Sequence, residues 1–67
     1  MTISVNDQPR SAAPGATLLD LLRELTLAER KGVAIAVNDS VVPRSTWSTH
    51  LLAEADRILV IQATQGG

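Results

Sequence analysis

The sequence predicts a small α+β domain: a mixed sheet of four to five strands with one main helix packed on one face. Three observations carry this. A single leucine stripe at helical spacing, Leu18, Leu21, Leu22 and Leu25, occurs in the first half of the chain. Short apolar or alternating runs flank it on both sides, at the length of strands rather than helices. The chain has 67 residues, 45% of them hydrophobic, enough for one core and one domain only. With Trp47 its sole aromatic residue, that core must be built from Leu, Ile, Val and Ala.

Thr2 to Asn6 alternates polar and apolar, putting Ile3 and Val5 on one face of a half-buried strand. Asn6-Asp7 is a turn pair, because both residues tolerate positive φ and bond their own backbone. Gln8 to Ala12 returns as a second strand, confined to a sheet edge by Pro9, which donates no ladder hydrogen bond. Pro14-Gly15 breaks the chain, and Thr17 caps the helix with Asp20 as its capping-box partner. Asp20, Arg23 and Glu24 fall opposite the leucine stripe, and the polar Thr26 to Lys31 is the helix's frayed end or a loop, closed by Gly32. In Val33 to Asn38, Val33, Ile35 and Val37 share one face and Ala34 and Ala36 the other. Asn38-Asp39-Ser40 is a turn, and Val41-Val42 a short strand stopped by Pro43. Ser45 to Leu52 reads as a helical turn or an ordered loop with Trp47 and Leu51 inward. Arg57 to Ala63 is a nearly unbroken apolar run, expected of a central strand covered on both faces. The first and last strands then lie parallel in mid-sheet, which describes a β-grasp, or ubiquitin-like, fold. Residues 1–63 form the domain and 64–67 a flexible tail.

Composition excludes several functions. With no cysteine there is neither a disulfide nor a thiolate nucleophile, which fits a reducing cytoplasm. The net charge of −1 is scattered, leaving no stripe for nucleic acid. No apolar run approaches the roughly 20 residues of a membrane span, and no signal pattern opens the chain. His50 is the only histidine, with no metal-ligand spacing around it, and reads as a surface residue. The seven carboxylates are dispersed as turn, cap or solvated residues, and there is no glycine-rich phosphate loop. A core this small leaves little room for a pocket of ~300 Å³. The expectation is a soluble, cytoplasmic protein that is not an enzyme and binds neither metal nor cofactor itself.

The end of the chain differs. Two terminal glycines arise by chance about half a per cent of the time at ~7% glycine usage. Simple fraying does not require them. A reactive carboxylate does, because an enzyme cleft must close around the last residues without meeting side chains. Beyond Ala63, four extended residues reach roughly 13 Å. Gly66 and Gly67 are therefore the expected reactive terminus.

The chain resembles the sulfur carriers of bacterial thiamin biosynthesis along nearly its whole length. The resemblance lies in Asn6-Asp7-Gln8 after a short strand, Thr17 before the leucine helix, and Val37-Asn38 ending the third strand. Val42-Pro43-Arg44 with Trp47 following, Asp56 opening the last strand and Gly66-Gly67 complete it. It implies a carrier whose Gly67 carboxylate is adenylated by a ubiquitin-activating-enzyme-like adenylyltransferase, with ATP and magnesium held by that partner. A persulfide, supplied through a cysteine desulfurase, then turns the adenylate into a thiocarboxylate that gives sulfur to thiazole synthase. Thr64-Gln65 is more polar than the family pattern. The small subunit of molybdopterin synthase is the nearest alternative, against which stand the short length and the Pro43-Arg44 to Trp47 segment. A ubiquitin-like modifier and a plain interaction module are the others.

A carrier must also dock. The last strand is apolar on both parities, and one helix covers one face. By likeness to ubiquitin-like folds, Leu59 and Ile61, with Ala34 and Ala36 beside them, form an exposed apolar dock. The competing arrangement has Ser45 to Leu52 covering that face. Trp47 is expected to anchor its loop to the core, while Arg44 stands between a structural ion pair and partner recognition.

Overall fold

A computed structural model describes residues 1–62. The elements are β1 (Thr2–Val5), β2 (Gln8–Ser11), α1 (Leu18–Glu24), β3 (Val33–Val37), β4 (Ser40–Val42) and β5 (Arg57–Gln62), with a 3₁₀ turn at Arg44–Thr46. The strands lie in the order β2-β1-β5-β3-β4. β1 and β5 are parallel, and every other pairing is antiparallel. This is the β-grasp arrangement, with β5 at the centre and the Pro9 strand at one edge.

Two hairpins set the register. Asn6 and Asp7 take φ of 50° and 67°, and Asn38 and Asp39 take 50° and 72°. Positive φ at both central residues matches the right-handed twist of the strands they join, and Asn and Asp tolerate it best after glycine. The first turn pairs Val5 with Gln8, and the second pairs Val37 with Ser40. The asparagines also reach across the sheet. Asn6 Oδ1 accepts from the Val60 amide, and Asn38 Oδ1 from the Arg57 amide, each at 2.9 Å.

The helix begins as its sequence predicts. Thr17 Oγ1 accepts from the Asp20 amide, and the Asp20 carboxylate accepts from the Thr17 amide. The other first-turn donors find carbonyls in the 47–52 loop: the Leu18 amide donates to His50 O and the Leu19 amide to Trp47 O. These amides are therefore satisfied within the fold.

Of the two readings for Thr26 to Lys31, frayed helix end or loop, the structure shows the loop. Gly32 lies well beyond the helix, which closes at Thr26 with φ of 59°. The Leu27 amide donates to Leu22 O and the Thr26 amide to Arg23 O, the paired bonds of a Schellman cap. A β-branched residue stands where glycine is usual, at a local cost. Leu27 beyond it is buried in the core, which holds the chain in that turn.

The core lies between the sheet and the helix layer. Ile3, Ile35 and Ile58 face Leu18, Leu21, Leu22 and Trp47, all nearly inaccessible to solvent. Trp47 Nε1 donates to Val42 O, so the indole is buried with its polar atom satisfied. The 45–52 loop thus lies on the helix side and does not cover the opposite face. β5 is central but covered on one face only: Ile58 is 2% exposed and Leu59 is 50%.

Candidate functional site

β5 carries the chain toward the predicted reactive terminus, so the site is built outward from it. Gly66 and Gly67, with residues 63–65, lie outside the described residues. What is described is the platform on which they are mounted. Val33 opens β3 opposite Gln62, with Ala34 paired to Ile61 and Ala36 to Leu59. On β4, Val41 pairs with Ala36. Period-two alternation therefore puts Leu59, Ile61, Ala34, Ala36 and Val41 on the face away from the helix.

That face is open. Val41 is 68% exposed, Leu59 50% and Ile61 45%, and Ala34 is exposed as well. Ala36 is not: at 6% it is buried, contrary to its expected place in an exposed dock. Its single methyl sits in register between the larger Leu59 and Val41, which shade it. Val41 is absent from the sequence-based dock, although alternation from Val42 across the Asn38-Asp39 turn places it on this face. Leu51, read as inward, is 64% exposed and forms an isolated bridge with Thr17.

A polar hub fixes the start of β5. Asp56 is 8% exposed and accepts from Asn38 Nδ2 at 2.9 Å and from the Ala53 amide at 2.8 Å. Through Asn38 it ties the β3-β4 turn to β5, and Arg57 adds an exposed ion pair to Asp39 at 2.8 Å. At the other end, Arg44 binds backbone rather than a carboxylate, so of its two expected roles the structural one takes the form of carbonyl bonds and not of an ion pair. Its guanidinium donates to Ala28 O and Arg30 O at 2.6 and 2.8 Å and lies 4.6 Å from the centre of the Trp47 ring. It holds the α1-β3 connection against the tryptophan loop.

No conventional active site is present among the described residues. No group of three His, Cys, Asp or Glu side chains converges there as a metal site. His50 is half-buried, and its carbonyl serves the helix cap. Against the expectation of little room, an open groove of about 340 Å³ runs between residues 11–16 and the helix. It lies on the surface rather than in the core. Its two carboxylates are engaged: Glu24 pairs with Arg10 at 3.3 Å, and Asp20 is held below the usual carboxyl range by the Thr17 amide and hydroxyl it bonds. No helix is long and apolar enough to cross a membrane among the described residues.

Comparison with known proteins agrees with this geometry. The sequence profile of the ThiS family matches residues 3–67. The sulfur carrier protein ThiS of Escherichia coli is 39% identical over 67 residues, spanning all of both chains. A thiazole synthase of Magnetococcus marinus is 40% identical over the same length, which is 20% of that larger protein. Among solved structures, the crystal structure of thiamine biosynthesis protein ThiS from Geobacter metallireducens superposes with a TM-score of 0.84 at 23% identity, covering both chains fully. A solution structure of a thiamine biosynthesis protein from that organism gives 0.78, covering all of this chain and 88% of the other.

Proposed function

This chain belongs to the ThiS family, and from that premise we propose that it carries sulfur on its Gly67 carboxylate to a thiazole synthase in thiamin biosynthesis. It is a carrier and not a catalyst. The observation that supports the reading is 39% identity to a sulfur carrier over the full length of both chains, together with the Gly-Gly end of the sequence that follows β5.

The chemistry follows from the carboxylate's inertness. A Gly67 oxygen attacks the α-phosphorus of ATP, pyrophosphate leaves, and an acyl adenylate results. A persulfide sulfur then attacks the acyl carbon and AMP departs. Cleavage of the resulting S–S bond by a second thiol leaves the thiocarboxylate, with the donor left as a disulfide. The adenylating partner holds the ATP and magnesium, and a cysteine desulfurase supplies the persulfide. The chain offers few groups that would intercept its own activated end. It has no cysteine, and its N-terminal ammonium donates to Ala12 O at 2.9 Å.

Leu59, Ile61 and Val41, flanked by Ala34, form the apolar surface on which partners seat while the Gly-Gly segment enters their clefts. From Gln62 the remaining five residues span at most about 17 Å. The relative named thiazole synthase contains a segment like this chain within one polypeptide. Such a linkage raises the effective concentration of one domain at the other, which supports thiazole synthase as a partner here. These reactions belong in a reducing cytoplasm.

The test is complementation of a thiamin-requiring strain that lacks its own carrier. The full chain is expected to restore growth, and a version without Gly67 is not. Growth restored equally by both would refute the proposal. Rescue of a molybdenum-cofactor defect alone would point to the molybdopterin synthase subunit instead.

A further inference from the structure

The net charge of −1 conceals a strong polarity along β5. Toward the end where Gln62 leaves the sheet lie three cations, Arg30, Lys31 and Arg44, and Arg23 joins them through the segment that carries Ala28 and Glu29. The placement follows from topology. Arg30 and Lys31 shortly precede Val33, which pairs with Gln62. Arg44 is bound to the carbonyls of Ala28 and Arg30. Arg23, in the last helical turn, shares a recess of about 250 Å³ with Thr26, Ala28 and Glu29. At the opposite end of β5 the balance reverses. Asp39, Glu54 and Asp56 gather around the Asn38-Asp39 turn and the start of the strand, with Arg57 as the cation beside them.

The basic end is also available. Arg23, Arg30 and Lys31 are exposed, and among the described residues none is in a salt bridge, although Arg23 acts through space on the Asp20 carboxylate. It is continuous with the apolar face, because Ile61 and Ala34 are the outward residues nearest that end.

Building on the proposed carrier role, we infer that this basic end is a second docking element, seated on an acidic rim around the mouth of the adenylating enzyme's cleft. Adenylation makes the strongest electrostatic demand in the cycle. An anionic carboxylate must approach a polyanionic nucleotide, and the repulsion between like charges is only weakly screened inside a cleft. Cations flanking the point where the terminal segment departs steer the carrier to the rim and offset that repulsion. Arg44 has a different task here. Already bound to two carbonyls, it fixes the loop that presents Arg30 and Lys31.

The test measures ATP-dependent AMP formation by the adenylating enzyme of the same organism, at low and high sodium chloride. It compares the wild-type chain with Arg30→Glu/Lys31→Glu, with the milder Arg30→Gln/Lys31→Gln, and with Arg10→Gln on the far sheet edge. The double reversal is expected to raise KM about tenfold at low salt with kcat nearly unchanged, the gap closing as salt screens the rim. The glutamine pair is expected to show a smaller rise and Arg10→Gln none. Equal KM and equal salt dependence for wild type and both double variants, all folded by thermal melting, would overturn the inference while leaving the carrier role intact. A wild-type chain that is not adenylated by active enzyme would remove both. A defect confined to the later transfer to thiazole synthase would assign the acidic rim to that protein and overturn the inference as stated.

Discussion

Ile58 and Leu59 are neighbours in one strand, similar in volume and hydropathy, yet one is 2% exposed and the other 50%. The inner face of the sheet is closed by α1 and the Trp47 loop, and its residues are constrained by packing. The outer face has no covering layer among the described residues, so its apolar side chains add little to folding. A domain of this size exposes Val41, Leu59 and Ile61 on one surface, the surface that the proposed docking would use.

Substitutions at the two positions sharpen the contrast. Ile58→Ala is expected to lose about 2–5 kcal/mol in urea unfolding, a large share of the stability of so small a domain. Leu59→Asp is expected to unfold within about 1 kcal/mol of wild type. Its adenylation kcat/KM, however, should fall about 30-fold, the scale of an interface hot spot. Wild-type activation of Leu59→Asp would show that the outer face is not a dock.

The polar hub supports both faces through β5. Asp56→Ala strands the Asn38 amide group and the Ala53 N–H, and is expected to cost about 1–3 kcal/mol by the same unfolding measurement. Thr26→Gly has the opposite sign. Relieving positive φ at a β-branched residue is expected to add about 1 kcal/mol, read as a raised melting temperature.

Asp20 contributes the smallest effect, present at neutral pH and lost in acid. Its folded carboxyl sits below the ordinary value of 3.8 because the Thr17 amide and hydroxyl stabilise the anion. The resulting stability is fully present above 3.8 and is lost as pH falls through the lower folded value. Asp20→Asn should therefore flatten the acid limb of a stability-versus-pH curve while leaving its neutral region parallel to wild type.

Much of the inner architecture is legible in the sequence, because it rests on local signals. The leucine stripe, the Thr17-Asp20 box, the two Asn-Asp turns and Pro9 each imply one backbone conformation. The helix C-terminus is not, since Thr26 adopts its conformation through the burial of Leu27, and Gly32 offers a stronger local signal further on. Arg44 is equally opaque: its partners are the backbone carbonyls of Ala28 and Arg30, which no side-chain pattern reveals. β5 is apolar on both parities, so hydropathy alone suggests two covered faces and leaves open which side the Trp47 loop takes. The Gly-Gly terminus is visible from residue type alone and lies outside the described residues, so the proposed role of Gly67 rests on the sequence and the family.

The central claim is that Gly67 becomes a thiocarboxylate. Its most direct test is the intact mass of the chain after incubation with ATP, magnesium, the adenylating enzyme and a persulfide donor, with fragmentation to locate any change. The account predicts a gain equal to one oxygen-for-sulfur exchange, confined to Gly67 and absent from a chain lacking that residue. An unchanged mass, with the same enzymes shown to load another carrier, would contradict it.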